Sequence, residues 1–203
     1  QIEPLKVSEE REKPVEVARD KKKRKQFNNN TKPSAIELNN LLQMYQNRQF
    51  GEAEKLAKDL VERFPKHPFS WKLLGGVLGQ IGRISEALFA KQKAVELSPQ
   101  DAEAHNNLGV TLKELGRLEE AKQSYVQAIA LKPDYAEAHS NLGIVFAELD
   151  KLKEAEESYD TAIALKPGFT EALMNRWQLL FDKREFDAAL RDIELCDNEK
   201  SRA

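Results

Sequence analysis

Three histidines, one cysteine and several recurring amides and carboxylates are the residues of this 203-residue chain whose types could do chemistry. A zinc ion holds about four ligands at roughly 2.0–2.3 Å, so its ligands must converge on one point. His105 and His139 instead occupy the same place in two successive 34-residue units, and Trp71 fills that place one unit earlier. A position that accepts an indole as readily as an imidazole reads as half-buried packing, and a full unit of separation is too far for one metal. Cys196 falls where the neighbouring units carry Ala, so it reads as a small packing residue; alone, it excludes an intrachain disulfide and a multi-cysteine metal site. No glycine-rich phosphate loop, Ser-His-Asp set or H-x-x-x-H pair occurs. The expectation is a chain that is not an enzyme and takes no cofactor or metal.

Amides and carboxylates are more suggestive. Asn39, Asn107, Asn141 and Asn175 recur at the sixth place of successive units, interrupted by Leu73. A carboxamide offers two donors and an acceptor, which suits the alternating carbonyl and N–H of an extended peptide without demanding particular side chains. The alternative is that these amides solvate their helix or bond to a neighbouring one. Three such hydrogen bonds, at about 0.5–1.5 kcal/mol each, supply only a few kcal/mol, so a site built from them alone binds weakly. Glu103, Glu137 and Glu171 recur at the second place, and Glu114, Glu148 and Asp182 at the thirteenth. Repeated carboxylates favour a basic or neutral ligand; the plainer reading is a solvated helix edge.

The elements that must position these side chains come from one repeated text. Ala102–Tyr135 and Ala136–Phe169 are identical at twenty of 34 places, and the same frame extends to units near 34–67, 68–101 and 170–203. Ala53, Ala87, Ala121, Ala155 and Ala189 share one place; Gly75, Gly109 and Gly143 share another; Pro65, Pro99, Pro133 and Pro167 close the first four units. Within a unit, Leu108, Leu112 and Leu115, then Leu118, Ala121, Tyr125, Ala128 and Ile129, follow helical spacing in two runs, joined at Gly116-Arg117. Proline lacks the amide donor a helix needs and so ends the second run. One helical pair cannot cover its own apolar face, so the pairs must stack. A bulky residue at Gly109 should overpack the pair, at a cost of about 1–3 kcal/mol.

These small residues, with Leu74, Leu108 and Leu142 before the glycines and Tyr125 and Tyr159 at the aromatic place, resemble the tetratricopeptide repeat family. The resemblance implies an all-α fold, a right-handed α-solenoid of about five helix-turn-helix repeats, whose first helices line a concave protein-binding surface. Asn107, Asn141 and Asn175 also resemble the asparagine ladder of O-linked N-acetylglucosamine transferases, which is associated with gripping peptide backbone. Some members of the family hold a chaperone's C-terminal carboxylate with Lys, Arg and Asn. Here the matching residues are Asn106, Val110, Asn141, Glu171 and Asn175, without the cations, so no such clamp is expected. Regular repeats of this kind also occur N-terminal to glycosyltransferase, sulfotransferase or 2-oxoglutarate-dependent oxygenase domains. A substrate-recruiting module of a longer enzyme is therefore the alternative to a free-standing scaffold.

Charge divides the chain. Residues 1–33 hold six acidic and ten basic residues and few large apolar ones, and read as a disordered charged tail; the repeat domain runs over 34–197. Lys21, Lys22, Lys23, Arg24 and Lys25 are the only run here that suggests nucleic acid or an anionic surface, and the plainer reading is a solvated linker. The remainder carries 22 basic and 28 acidic residues, which argues against nucleic-acid binding by the repeats. Ser34 and Glu37 form an S-x-x-E helix start. No run approaches the roughly 20 apolar residues of a membrane span, and the cytoplasm is the default compartment. After the last repeat the apolar Leu190 and Ile193 face has no capping helix in the sequence, so self-association there, or continuation of the chain, is expected.

Overall fold

The structure, a computed structural model, describes residues 32–193 apart from 187. The basic run Lys21–Lys25, most of the charged tail and Cys196 lie outside the described residues.

Among the described residues nine bounded helices follow one another: α1 (Ala35–Gln46), α2 (Phe50–Arg63), α3 (Pro68–Gln80), α4 (Ile84–Leu97), α5 (Ala102–Glu114), α6 (Leu118–Leu131), α7 (Ala136–Glu148), α8 (Leu152–Leu165) and α9 (Thr170–Asp182). Residues 188–193 are helical again. The described residues contain no strand. α1 packs on α2, α3 on α4, α5 on α6 and α7 on α8, and each second helix also packs on the first helix of the next pair. First helices touch one another at α1/α3, α5/α7 and α7/α9. The result is the all-α stack of helical pairs that the repeated text requires.

Local chemistry sets the boundaries. Glu37 N–H donates to Ser34 Oγ at 3.2 Å, and Ser34 N–H donates to Glu37 Oε2 at 2.9 Å, so the expected capping box opens α1. Asp101 Oδ1 accepts from Ala104 N–H at 3.1 Å at the start of α5. Second helices stop two residues before Pro65, Pro99, Pro133 and Pro167. The residue before each proline leaves the helical region, as the ring's Cδ requires; Lys132, for example, has φ −139° and ψ 89°.

The turn inside each pair needs one residue in the left-handed region. Gly82 (φ 78°) and Gly116 (φ 70°) take it without strain, but Arg48 (φ 58°), Asp150 (φ 59°) and Arg184 (φ 62°) hold the same place in the other three repeats. A side chain there crowds the following carbonyl oxygen. Arg48→Gly is expected to stabilise the protein by about 0.5–1 kcal/mol, read as a rise in the urea midpoint at constant slope.

Small residues at the crossing let the helices close. Ala53, Ala87, Ala121 and Ala155 are fully buried. The rings of Tyr125 and Tyr159 lie directly over Gly109 and Gly143: a Cβ built on either glycine would sit 2.6 Å from a ring carbon. In the second repeat, Lys91 replaces the tyrosine and lays its aliphatic stem over Gly75.

The fifth repeat departs from the pattern. Arg176 and Trp177 stand where the second, third and fourth repeats have Leu-Gly, and Arg176 turns inward to Asp192, which is only 1% exposed. Nε donates to Oδ2 at 3.0 Å and Nη2 to Oδ1 at 2.5 Å, while Nη1 reaches Asp160 on α8. Beyond this pair, Trp177, Phe181 and Phe186 form a chain of aromatic contacts at 5.6 and 5.4 Å. Phe181, Phe186, Leu190 and Ile193 are exposed.

Candidate functional site

The four asparagines occupy corresponding places on first helices but have different surroundings. Asn39 is exposed on α1; Asn107, Asn141 and Asn175 are half-buried; Leu73 is buried between them. Asn141 Nδ2 donates to Asn106 Oδ1 across the α5/α7 contact at 3.0 Å, so for this residue the bond to a neighbouring helix is real. One repeat further on, the residue opposite Asn175 is Ser140, too short to reach. Ser140 Oγ and Asn175 Nδ2 are both buried without a hydrogen-bond partner among the described residues. One repeat earlier, the place opposite Asn107 is held by Lys72, whose ammonium goes instead to Asp101 (3.0 Å) and Glu103 (2.9 Å). Asn107 makes no side-chain hydrogen bond among the described residues. Two of the four amides, Asn107 and Asn175, are thus half-buried with binding capacity left over.

The carboxylates divide similarly. Glu103 pairs with Lys72, and Glu137 with Lys166 at 3.1 Å. Burial works against the Lys72 charge, but the hydrogen bonds it donates to Glu103 and Asp101 outweigh it and raise its pKa. Glu171, Glu114 and Glu148 are exposed and make no hydrogen bond or ion pair among the described residues. Asp182 accepts from Gln178 Nε2 at 2.9 Å.

Tyr125 and Tyr159, which the sequence places only at the aromatic packing position, and Lys91, which stands at that position in the second repeat, reach the first helices. Lys91 Nζ bonds Thr111 Oγ1 on α5 at 2.5 Å, which shows that the tip of this position touches the next repeat's first helix. Burial pushes the Lys91 pKa down, against the opposing charge of Glu114. Tyr125 occupies the same place one repeat later, where Val145 replaces Thr111, and its hydroxyl is buried with no hydrogen-bond partner among the described residues. Burial first, then the charges of Glu114 and Glu148, push its phenol well above the ordinary range; burial, Glu148 and Glu171 do the same to Tyr159. Glu148 acts on both tyrosines, Glu114 on Tyr125 and Glu171 on Tyr159. The repeat frame carries part of this signal, since the aromatic place and the thirteenth place, which holds Glu114 and Glu148, both keep their identity across two repeats, whereas Glu171 stands at the second place.

The histidines hold the stack together. His105 Nε2 lies 3.0 Å from Pro99 O, His139 Nε2 lies 3.0 Å from Pro133 O, and Trp71 Nε1 donates to Pro65 O at 2.8 Å. A carbonyl can only accept, so both histidines carry a proton on Nε2, and the place tolerates indole because indole offers the same N–H. His67 caps α3 instead, with Nδ1 accepting from Ser70 N–H at 3.3 Å. Among the described residues no group of three or more His, Cys, Asp or Glu could hold a metal ion, and no helix is long and apolar enough to cross a membrane.

Stacked helical pairs with an open polar row on their first helices define the class of helical-repeat proteins that present a surface to other molecules. The chain belongs to the tetratricopeptide repeat family: repeats of that family match residues 43–102, 92–123, 111–150 and 136–169. Among solved structures, the chain is similar to MamA, with 25% identity and a TM-score of 0.72 over 79% of this chain and 96% of that one. It also resembles PilF of Pseudomonas aeruginosa (23%, TM-score 0.74, covering 80% and 74%). A third is YrrB, described as a tetratricopeptide repeat protein with an unusual peptide-binding site (17%, TM-score 0.66, 92% of each chain). No curated protein matches the chain significantly.

Proposed function

We propose that the row of first helices binds an extended peptide segment of a partner protein with basic or neutral side chains, and that the chain acts as a protein-interaction scaffold rather than a catalyst. The observation that carries this reading is the orphaned amide of Asn175, a half-buried donor without a hydrogen-bond partner among the described residues, in register with Asn107. An unsatisfied buried donor costs about 1–3 kcal/mol, and a peptide carbonyl would relieve it. Glu114, Glu148 and Glu171, exposed on the same first helices and without an ion pair among the described residues, support the basic preference. YrrB's peptide-binding site is a precedent for the fold. Asn39, at the exposed start of the row, and the paired Glu103 and Glu137 are peripheral contacts in this reading, and Asn141 positions Asn106 more than it grips a ligand. The exposed apolar residues around Phe186 support a protein contact at that end, a second copy included.

The test is an array of twelve-residue peptides varied in Lys and Arg spacing, followed by fluorescence anisotropy on the best binder. Asn107→Ala with Asn175→Ala should weaken binding roughly tenfold, the equivalent of two hydrogen bonds, with the melting temperature kept or raised. Undiminished binding by the double variant overturns the role of the amides.

A further inference from the structure

Glutamate holds the second place on α5, α7 and α9, and the chain answers two of the three. Glu103 receives the ammonium of Lys72, which stands at the fifth place of the preceding first helix, at 2.9 Å. Glu137 receives Lys166, from the end of its own repeat, at 3.1 Å. Glu171 is exposed and has no ion pair among the described residues. Ser140 accounts for the difference. It holds on α7 the place from which Lys72 reaches Glu103 and from which Asn106 accepts from Asn141. Its own side chain is too short for either task. Ser140 is 1% exposed, yet its hydroxyl has no hydrogen-bond partner among the described residues. Ser124 and Ser158, by contrast, turn back to their own helices and donate to Glu120 O and Glu154 O at 3.0 and 2.7 Å. Across the α7/α9 contact, Asn175 Nδ2 is buried and equally without a partner among the described residues.

Buried polar groups are costly to leave open, so this joint favours whatever completes it. Glu171 and Asn175 are four residues apart on α9, which puts them on one helix face about 5–6 Å from each other. The amide asks for a carbonyl and the carboxylate for a cation. Lysine carries both, and its four-carbon stem spans the interval between its ammonium and its own backbone. The chain shows the same pairing internally, where the Lys72 ammonium rests on Glu103. A second carboxylate, Asp101, shares that ammonium at 3.0 Å; in the α7/α9 joint Phe169 stands at the matching place, with Lys166 over its ring at 4.6 Å. A single carboxylate therefore holds the cation here, and the grip is modest.

We propose that the α7/α9 joint is a lysine subsite: the ammonium of a ligand lysine pairs with Glu171, the neighbouring backbone carbonyl takes the Asn175 amide, and Ser140 keeps both open by being too short to claim them. This rests on the reading of the first helices as a peptide site, and it adds which side chain the ligand presents and at which joint. Ser140 acts as a positioning residue and touches neither the ligand's charge nor its backbone.

The experiment is a nuclear magnetic resonance titration of the full chain, labelled with nitrogen-15, against two blocked peptides of glycine and serine that carry either lysine or its uncharged isostere norleucine at the centre. The lysine peptide should bind about three- to fivefold tighter and shift the Asn175 side-chain amide, and the advantage should vanish in Glu171→Gln. Glu171 is exposed, so that variant is read against an unchanged fold. Ser140→Lys, which gives this joint the residue that the second repeat carries at the same place, should erase the advantage by pairing with Glu171 from within the chain. Ser140→Asn should claim the Asn175 amide, as Asn106 claims that of Asn141, and weaken both peptides alike. Equal binding of the two peptides to the unmodified chain, with the Asn107 or Asn175 amide shifted, overturns the lysine subsite and leaves the peptide site standing. An advantage that survives Glu171→Gln overturns it equally. No shift of either amide at about 10 mM peptide overturns both readings.

Discussion

Asp192→Ala is expected to lower the stability of the protein by about 3 kcal/mol, more than most single changes in this fold. The carboxylate is buried and accepts two hydrogen bonds from Arg176, whose guanidinium it holds in the charged form. Alanine leaves that guanidinium desolvated with only Asp160, an exposed partner, to answer it. Breaking a buried pair from one side costs about 3–5 kcal/mol, and the retained Asp160 contact puts this case at the lower end. Urea unfolding followed by circular dichroism measures it. Replacing both partners, Arg176→Leu with Asp192→Leu, restores the leucine that the second, third and fourth repeats carry at the arginine's place and should recover most of the loss, because two buried charges disappear together. A single alanine variant within 1 kcal/mol of the parent would mean that the pair contributes nothing.

Gly109→Val is the second large effect, also about 3 kcal/mol. The new Cβ would meet Tyr125 Cε1 at 2.6 Å and Cζ at 2.8 Å, and its branches would reach further into the ring. Tyr125 has no room to retreat, being fully buried against Val145 and Leu142. Interiors packed to crystal density answer such an insertion with backbone shifts. Gly51→Ala is the matching control: nothing lies within 4 Å of its added Cβ, and helix propensity alone predicts a gain of about 0.5–1 kcal/mol. Paired thermal melts should move in opposite directions for the two variants. Tyr125→Ala should rescue part of the Gly109→Val loss, since it removes the group that collides.

The stack was legible because its text is periodic. The helix start at Ser34, the turn at Gly116-Arg117, each closing proline and the tightness at Gly109 follow from spacing within one repeat, while the Tyr125 ring over Gly109 came only with the structure. What escaped is what crosses repeats or breaks the frame. Asn141 and Asn175 look alike in sequence, yet one is bonded and the other orphaned, because the deciding residue lies 35 places earlier and is Asn106 in one case and Ser140 in the other. Only the register of first helix against first helix reveals that offset. Arg176 and Asp192 stand on places that carry no charge in the other repeats, and two opposite charges sixteen residues apart on antiparallel helices form no helical period. His105 and His139 were read as packing residues; their tie to a proline carbonyl depends on where the preceding loop turns, which residue type alone does not encode.

The ties at Trp71, His105 and His139 have a mechanical consequence. A solenoid bends at the joints between repeats, and joints in series add their compliances, so the weakest governs the motion. Three joints carry a directional N–H bond to a proline carbonyl, which salt does not loosen. At the fourth, Leu173 stands in the donor's place, and the polar links across it are ion pairs, Arg176 with Asp160 and Lys183 with Glu156 at 2.5 Å. Ionic strength screens such pairs. The molecule is therefore a beam with one salt-softened joint near its C-terminal end, and the span between Glu148 and Glu171 changes with the electrolyte around it.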